Sequence, residues 1–151
     1  MLPEITLTDA PTTDTWRAIV GPLIEFNNGR LGRAEARRPL AVLLTDPQSG
    51  EITGGLYGST VFSYLHVDLL FVPESMRRKG VGRKLLSEAE AEAGRRGCHA
   101  VSLDTYSFQA RGFYEKMDYA TVARIVDFYK PGDDKFVYVK YIGGPANQRP
   151  R

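Results

Sequence analysis

The fold is decided by the stretch HVDLLFVPESMRRKGVGRKLL, residues 66–86, where an apolar strand leads through a basic turn into a helix. The apolar run at residues 67–72 has strand propensity, and Pro73 ends it because proline cannot donate to a ladder. Gly80 and Gly82 let backbone N–H groups approach a ligand without obstruction by a Cβ atom. The helix that follows points its unpaired N–H groups and the positive end of its dipole the same way. The stretch therefore predicts a site for a phosphate-bearing ligand.

Positive charge is concentrated at the predicted start of this helix. Cations there oppose the helix dipole and cost stability unless an anion lies between them, so a ligand explains them better than a basic, solvated turn that only caps a helix. The glycine pattern is not that of a P-loop, and a dinucleotide fingerprint needs a third glycine where this chain has Leu85. The four cations are Arg77, Arg78, Lys79 and Arg83.

The pattern Arg77-x-x-Gly80-x-Gly82 resembles the acetyl-coenzyme A signature of the GNAT superfamily of N-acetyltransferases, written R/Q-x-x-G-x-G/A. A second cluster, residues 107–119, resembles the other GNAT signature, N-x-x-A-x-x-x-Y-x-K-x-G-F/Y. Two clusters at the family's spacing are much harder to obtain by chance than one, and the resemblance extends over residues 40–142. In the second cluster Ala110, Tyr114, Lys116 and Tyr119 match, whereas Ser107 replaces the usual asparagine and Asp118 the usual glycine.

The resemblance implies an α/β fold whose mixed sheet has antiparallel arms, splayed central parallel strands and flanking helices. Acetyl-coenzyme A would enter between the splayed strands from one side and an amine from the other. It would bind as an added half-strand, with its pyrophosphate at the start of the helix. The cofactor contacts implied are Leu70, Phe71, Val72, Arg77, Arg78, Lys79, Gly80, Val81, Gly82, Arg83 and Ser107.

The resemblance also implies that Tyr114 lies beside the thioester sulfur, where a phenol can protonate or hydrogen-bond the departing thiolate. The alternative is a helix aromatic that packs on the sheet with its hydroxyl at the rim. The carbonyl would meet a backbone N–H near Leu70.

The general base remains open between several groups. On a regular strand His66, Asp68 and Leu70 share one face, so an imidazole and a carboxylate line the approach to the cofactor. Such a pair can accept the ammonium proton directly or through water. Alternatively, His66 is structural and Asp68 binds the substrate cation. Asp104, at the end of the next strand, and a chain of waters are further candidates.

The remaining elements fit one mixed sheet with helices. We expect one domain over residues 1–142 and a loose tail at 143–151, because GGPANQRPR has nothing to bury. Glycines 54, 55 and 58 lie in a predicted strand and indicate a bulge or a close backbone approach. Predicted strands span 4–8, 40–45, 52–62, 64–72, 100–104, 121–128 and 136–142, and predicted helices span 14–25, capped by Asp14 and stopped at 27–29, and 81–96.

Composition excludes several classes of protein. A net charge of +2 over 151 residues does not imply nucleic-acid binding. Cys98 is the single cysteine, so no internal disulfide forms and no metal-ligand cluster is expected. With neither a signal-like N-terminus nor a long apolar window, we expect a cytoplasmic protein that does not enter the membrane.

These observations predict a cytoplasmic, acetyl-coenzyme A dependent N-acetyltransferase that uses no metal. Its acceptor would be a primary amine of a small molecule or of a protein. The alternative is a non-catalytic acyl-coenzyme A binding or sensor module, which would need the cofactor residues but not Tyr114 or the carboxylates. Nucleic acid is not an expected partner, whereas a homodimer through the final strands is an open possibility.

Overall fold

The computed structural model describes residues 1–32, 34 and 36–143 and divides the chain into two compact units at Ala36 and Arg37. The first unit contains α1, Thr13–Leu31. Its N-cap is Thr12, whose hydroxyl accepts from the Thr15 N–H in a capping box, so the predicted cap at Asp14 is wrong by two residues.

Two further predictions for the first unit are wrong. The helix α1 continues through residues 27–29 and ends at Gly32, which adopts the left-handed conformation (φ 66°) that glycine tolerates best. Residues 4–8 form no strand. A short apolar alternation is therefore not sufficient for a strand, because a strand also needs a ladder partner.

The second unit is a six-stranded sheet in the order β1-β2-β3-β4-β6-β5. All neighbours are antiparallel except β3 and β4, which are parallel and joined by a helical crossover. The predicted α/β fold with a mixed sheet is confirmed. The strands are β1 (Arg38–Thr45), β2 (Ile52–Val61), β3 (Tyr64–Phe71), β4 (Ala100–Tyr106), β5 (Ala120–Ile125) and β6 (Lys135–Tyr141), and the helices are α2 (Val81–Arg95) and the short α3 (Arg111–Glu115).

The hydrophobic core lies between one face of the sheet and α2. The helix buries Leu85, Leu86, Ala89 and Ala93, and the two alanines allow its backbone to approach the sheet closely. Alternate residues of β4, including Val101 and Leu103, are buried in the same core. Because strand side chains alternate, Ser102 and Asp104 lie on the other face.

The two central strands separate partway along their length. The parallel ladder runs from Tyr64 opposite Ala100 to Val67 opposite Leu103 and stops there, although β3 continues to Phe71 and β4 to Tyr106. The splay implied by the resemblance is therefore present. We call the space between β3 and β4 beyond Val67 and Leu103 the strand gap.

A β-bulge in β3 lies at the start of the strand gap. Tyr57 pairs with Leu69 and Gly58 with Val67, which leaves Asp68 without a partner on β2. A Cβ atom on Gly58 would lie 2.2 Å from the His66 carbonyl oxygen, so only glycine permits this approach. The predicted bulge and close approach at this glycine are confirmed.

The bulge reverses which side chains of β3 face the core. Leu65 and Val67 are buried before it, whereas after it Leu70 packs against the core. The prediction that His66, Asp68 and Leu70 share one face is therefore wrong for Leu70. A regular period of two cannot continue through an extra residue.

β5 is an edge strand, and all six of its residues are exposed. Association of two chains through this edge remains a prediction, as does the single domain over residues 1–142. Residues 144–151 of the predicted tail lie outside the described part of the chain. No helix in the described ranges is long and apolar enough to cross a membrane.

Candidate active site

The start of α2 presents uncapped backbone N–H groups. Its N-cap is Gly80, which is left-handed (φ 78°), has no side chain to cap the first turn and has open space where a Cβ would lie. No acidic residue lies in that first turn, and the first helical hydrogen bond runs from Lys84 N to Gly80 O. The N–H groups of residues 81–83 are therefore available at the positive end of the helix.

The turn before α2 carries backbone strain. Arg78 has a φ of 60°, in the left-handed region that a residue with a Cβ rarely adopts. Such strain persists where the surrounding structure requires it and is concentrated at ligand sites. Arg78, Lys79 and Arg83 are exposed around the helix start.

Arg77 forms a hydrogen bond to the backbone that the sequence did not predict. Its Nε donates to the carbonyl oxygen of Val72 at 3.0 Å and so ties the turn to the end of β3. A guanidinium has five N–H donors, so the others remain for an anion.

Gly82 has a role in packing. A Cβ at this position would lie 3.3 Å from Cζ of Phe113 and 3.7 Å from a methyl group of Val72. The absence of a side chain therefore lets α2 pack closely on α3. A substitution of Gly82 would disturb the neighbour of Tyr114 as well as the anion site.

Tyr114 projects from α3 into an aromatic cluster. Its ring centroid lies 5.1 Å from that of Phe113 and 6.0 Å from those of Tyr119 and Tyr138. Within the described residues its hydroxyl has no hydrogen-bond partner. Burial, and then the negative charge of Asp104, raise the pKa of Tyr114. The phenol therefore stays protonated and is available as a donor.

His66 and Asp68 come together at the start of the strand gap, as predicted. Nδ1 of His66 lies 3.0 Å from Oγ of Ser102, and Nε2 lies 3.7 Å from Oδ1 of Asp68. If Nδ1–H donates to Ser102, the lone pair on Nε2 faces Asp68, whose carboxylate would stabilise a proton taken up there. Ser102 could have been found from the sequence, because it lies two residues before Asp104 on one strand face.

Asp104 is already paired with a cation. Nζ of Lys135 lies 3.1 Å from its Oδ2, and the side chains of Lys135 and Asp104 are 21% and 35% exposed. The carboxylate of Asp104 is therefore engaged by Lys135, whereas that of Asp68 faces the imidazole of His66. No local sequence signal predicts the contact, because it depends on the long-range pairing of β4 with β6.

Ser107 is held by the loop between β5 and β6. Its hydroxyl donates to Oδ1 of Asp133 at 3.3 Å and accepts from the Asp134 N–H at 3.1 Å. One lone pair remains, so contact with a cofactor is still possible, but its main partners are structural. Asp118 is left-handed (φ 66°), as a residue at the glycine position of the signature must be.

The end of β3 can accept an added half-strand. Leu70 pairs with Leu56 and Phe71 with Gly55 on β2, whereas the β4 side of this segment has no ladder partner among the described residues. An extended ligand carrying amides can use such an edge. Among the described residues there is no group of three or more His, Cys, Asp or Glu side chains arranged to hold a metal ion.

The splayed mixed sheet, with open backbone N–H groups and exposed cations at the start of α2, is the arrangement expected of an acetyltransferase of the GNAT type. The model of the acetyltransferase (GNAT) family matches residues 8–119, and the chain belongs to this family.

The chain is similar to several known acetyltransferases. It is 37% identical over 119 residues to acetyltransferase Atu2258 of Agrobacterium fabrum, covering 79% of this chain and 85% of that one. It is 42% identical over 106 residues to the blasticidin-S acetyltransferase of Streptomyces morookaense, covering 68% and 77%. A crystal structure of an Agrobacterium tumefaciens protein described as an acetyltransferase superposes with a TM-score of 0.84 at 32% identity, covering 92% of this chain and 99% of that one.

Proposed function

We propose that the protein transfers the acetyl group of acetyl-coenzyme A directly to a primary amine of a small molecule or a protein. The observation that carries the proposal is the strand gap, which has the anion site of α2 and Tyr114 on the core side and His66 with Asp68 on the other face. A donor and an acceptor can therefore meet in it from opposite faces.

The residues at the gap fit acetyl-coenzyme A. The N–H groups at the start of α2 and the side chains of Arg78, Lys79 and Arg83 would hold its pyrophosphate. The free edge at Leu70–Val72 would pair with the amides of its pantetheine arm. The bound thioester supplies an activated acetyl group and a thiolate leaving group.

Two proton transfers fall to side chains of this protein. Tyr114 keeps its proton because its pKa is raised, so it can donate to the departing sulfur. His66 accepts the proton of the amine at Nε2, and the carboxylate of Asp68, 3.7 Å away, stabilises the resulting imidazolium. Backbone N–H groups beside the bulge at Asp68 would polarise the carbonyl.

The first acceptor to test is blasticidin S, because a relative 42% identical to this chain is a blasticidin-S acetyltransferase. A cytoplasmic location fits the single, buried thiol of Cys98.

The direct test is release of coenzyme A thiol from acetyl-coenzyme A in the presence of a panel of primary amines that includes blasticidin S. We expect at least one amine to be turned over and its product to carry an acetyl group on nitrogen by mass spectrometry. The trimethylated form of the same amine should be inert, because it has no nitrogen lone pair. Tight binding of acetyl-coenzyme A with no turnover of any amine would favour the sensor module instead.

The anion site is tested by a pair of charge reversals on α2. Arg83→Glu, at the start of the helix, should weaken the binding of acetyl-coenzyme A by about tenfold or more, since it removes a charged contact to phosphate. Arg95→Glu, in the last turn, changes the net charge equally and should leave affinity nearly unchanged. Calorimetry at low and high salt should show the difference narrowing as salt screens the charges. Equal effects of the two changes would contradict the placement of the phosphates.

A further inference from the structure

We propose that four aromatic side chains beside the site form a subsite for a neutral, planar ring carried by the acceptor amine. The inference rests on the proposed function and names the class of its acceptor. We call the four side chains the aromatic platform: Tyr106, Phe108, Phe128 and Tyr129.

The aromatic platform is continuous with the strand gap. Tyr106 is the last residue of β4 and lies two residues beyond Asp104 on the same face, about 7 Å further along the strand. Its ring stacks on that of Phe108, with centroids 5.2 Å apart and planes at 3°. Phe128 lies 5.6 Å from Tyr106, and Tyr129 lies 6.3 Å from Phe108.

These rings are presented to solvent and are not part of the core. Phe108 is 61% exposed, Phe128 47% and Tyr129 75%. Large apolar patches of this kind on a monomer usually mark binding sites. Among the described residues, none of these four side chains belongs to the core or packs against it, so a ligand explains the cluster better than folding does.

The loop that carries Phe128 and Tyr129 is held in place by a buried carboxylate. Asp134 accepts from the Asp127 N–H at 3.0 Å and pairs with Arg124. The hydrogen bond from Asp127, and then the charge of Arg124, lower the pKa of Asp134, so this anchor stays ionised at neutral pH. The aromatic platform is therefore preorganised, which reduces the entropy lost on binding.

The charged side chains around the aromatic platform indicate the charge of the ring that it would bind. Nζ of Lys135 lies 5.0 Å from the ring centroid of Phe128 and 6.0 Å from that of Tyr106. This cation would repel a cationic ring, and its own charge is already balanced by Asp104, which leaves little attraction for an anionic ring. A neutral ring therefore fits best. Lys135 also forms an ion pair with Asp104. Asp68 is therefore the carboxylate at the gap that is open to an ammonium group. The acceptor therefore joins a neutral ring to a cationic amine through a short spacer.

The test uses two matched series of amines, ω-phenylalkylamines and ω-cyclohexylalkylamines with two to five methylene groups. Stacking favours the flat ring, whereas simple burial of apolar surface favours the cyclohexyl ring at least as much. We expect kcat/KM to be about five- to tenfold higher for the phenyl series at the best spacer length. That length should span the interval between Asp68, which would take the ammonium group, and the ring of Tyr106.

Three variants test which side chains produce the preference for phenyl over cyclohexyl amines. Phe128→Leu and Phe108→Leu should abolish the preference for phenyl over cyclohexyl while leaving kcat/KM for butylamine unchanged. Phe62→Leu removes another exposed aromatic, in the turn between β2 and β3 at the opposite end of these strands, and should keep the preference. Equal turnover of the two series, or a preference that survives both platform changes, overturns the subsite.

Binding measured by calorimetry, with coenzyme A present, separates the subsite from the proposed function. Preferential binding of a phenylalkylamine without turnover of any amine supports the subsite and contradicts the transferase. Turnover of aliphatic amines with no phenyl preference supports the transferase and overturns the subsite. Dimerisation in sedimentation velocity that both platform changes abolish would assign the rings to a second copy of this chain and would also overturn the subsite.

Discussion

Tyr114→Phe should lower kcat by about 100-fold or more and leave the affinity for acetyl-coenzyme A unchanged, because a positioned acid contributes on this scale. The phenylalanine ring keeps the contacts with Phe113, Tyr119 and Tyr138. Only the hydroxyl is lost, and it has no hydrogen-bond partner among the described residues. Steady-state kinetics and calorimetry on the two proteins provide the measurement.

The raised pKa of Tyr114 also predicts how kcat depends on pH. A phenol whose pKa is raised above its ordinary value of about 10 stays protonated at every pH below that value. The kcat of the wild type should therefore show no loss from ionisation of Tyr114 between pH 7 and 10. If kcat fell in that range in the wild type but not in Tyr114→Phe, Tyr114 would be ionising there, and its pKa would not be raised.

A neighbouring tyrosine provides the control. The hydroxyl of Tyr138 donates to Glu115 at 2.9 Å and accepts from Arg111 at 3.3 Å, and its side chain is fully buried. Tyr138→Phe should lower the free energy of unfolding by about 1 kcal/mol and change kcat little. Tyr114→Phe should show the reverse pattern. Near-normal turnover in Tyr114→Phe would make that phenol a packing residue only.

The second large effect is expected at Gly58, which sits at the bulge opposite Val67. Gly58→Ala should reduce the free energy of unfolding by about 3 kcal/mol, because its new Cβ would lie 2.2 Å from the backbone oxygen of His66 and backbone cannot rotate away. The same displacement would move His66 and Asp68, so kcat/KM should fall in the fraction that remains folded. Denaturant unfolding and kinetics on the folded protein separate the two losses.

Gly94→Ala is the matched control for this change. Gly94 lies within α2 and has nothing within 4 Å of the position that a Cβ would take. Alanine there should raise the free energy of unfolding by up to about 1 kcal/mol, since glycine is a poor helix former. Activity should not change. If Gly58→Ala were as well tolerated as Gly94→Ala, the pairing of Gly58 with Val67 would be wrong.

The local patterns were sufficient for the fold class and for the elements that frame the proposed anion site. The apolar run before Pro73 and the basic, glycine-bearing turn after it predicted β3, the turn and α2 to within one residue at each end. These elements are determined by residues close in sequence, through strand propensity, proline and helix capping. For the same reason the cluster around Tyr114 was recognisable, since its signature residues are a few positions apart.

Capping and register were harder to predict. Thr12 and Asp14 are both good N-cap residues, and only the reciprocal contact with Thr15 shows which one is used. The face reversal between His66 and Leu70 comes from one unpaired residue, Asp68, whose position depends on how β2 aligns with β3. A period of two read along a single strand contains no information about its partner.

Local sequence patterns were enough to identify the chemical groups near the strand gap: a helix start with open N–H groups, a phenol, an imidazole and several carboxylates. Which of these groups lie in contact depends on the tertiary fold. It paired Asp104 with Lys135, directed His66 to Ser102, and brought the rings of Tyr106 and Phe108 together with those of Phe128 and Tyr129. The reason is that these contacts join strands and loops distant in the chain, so strand pairing and packing establish them, whereas helix starts, turns and signature motifs are encoded by neighbours in sequence.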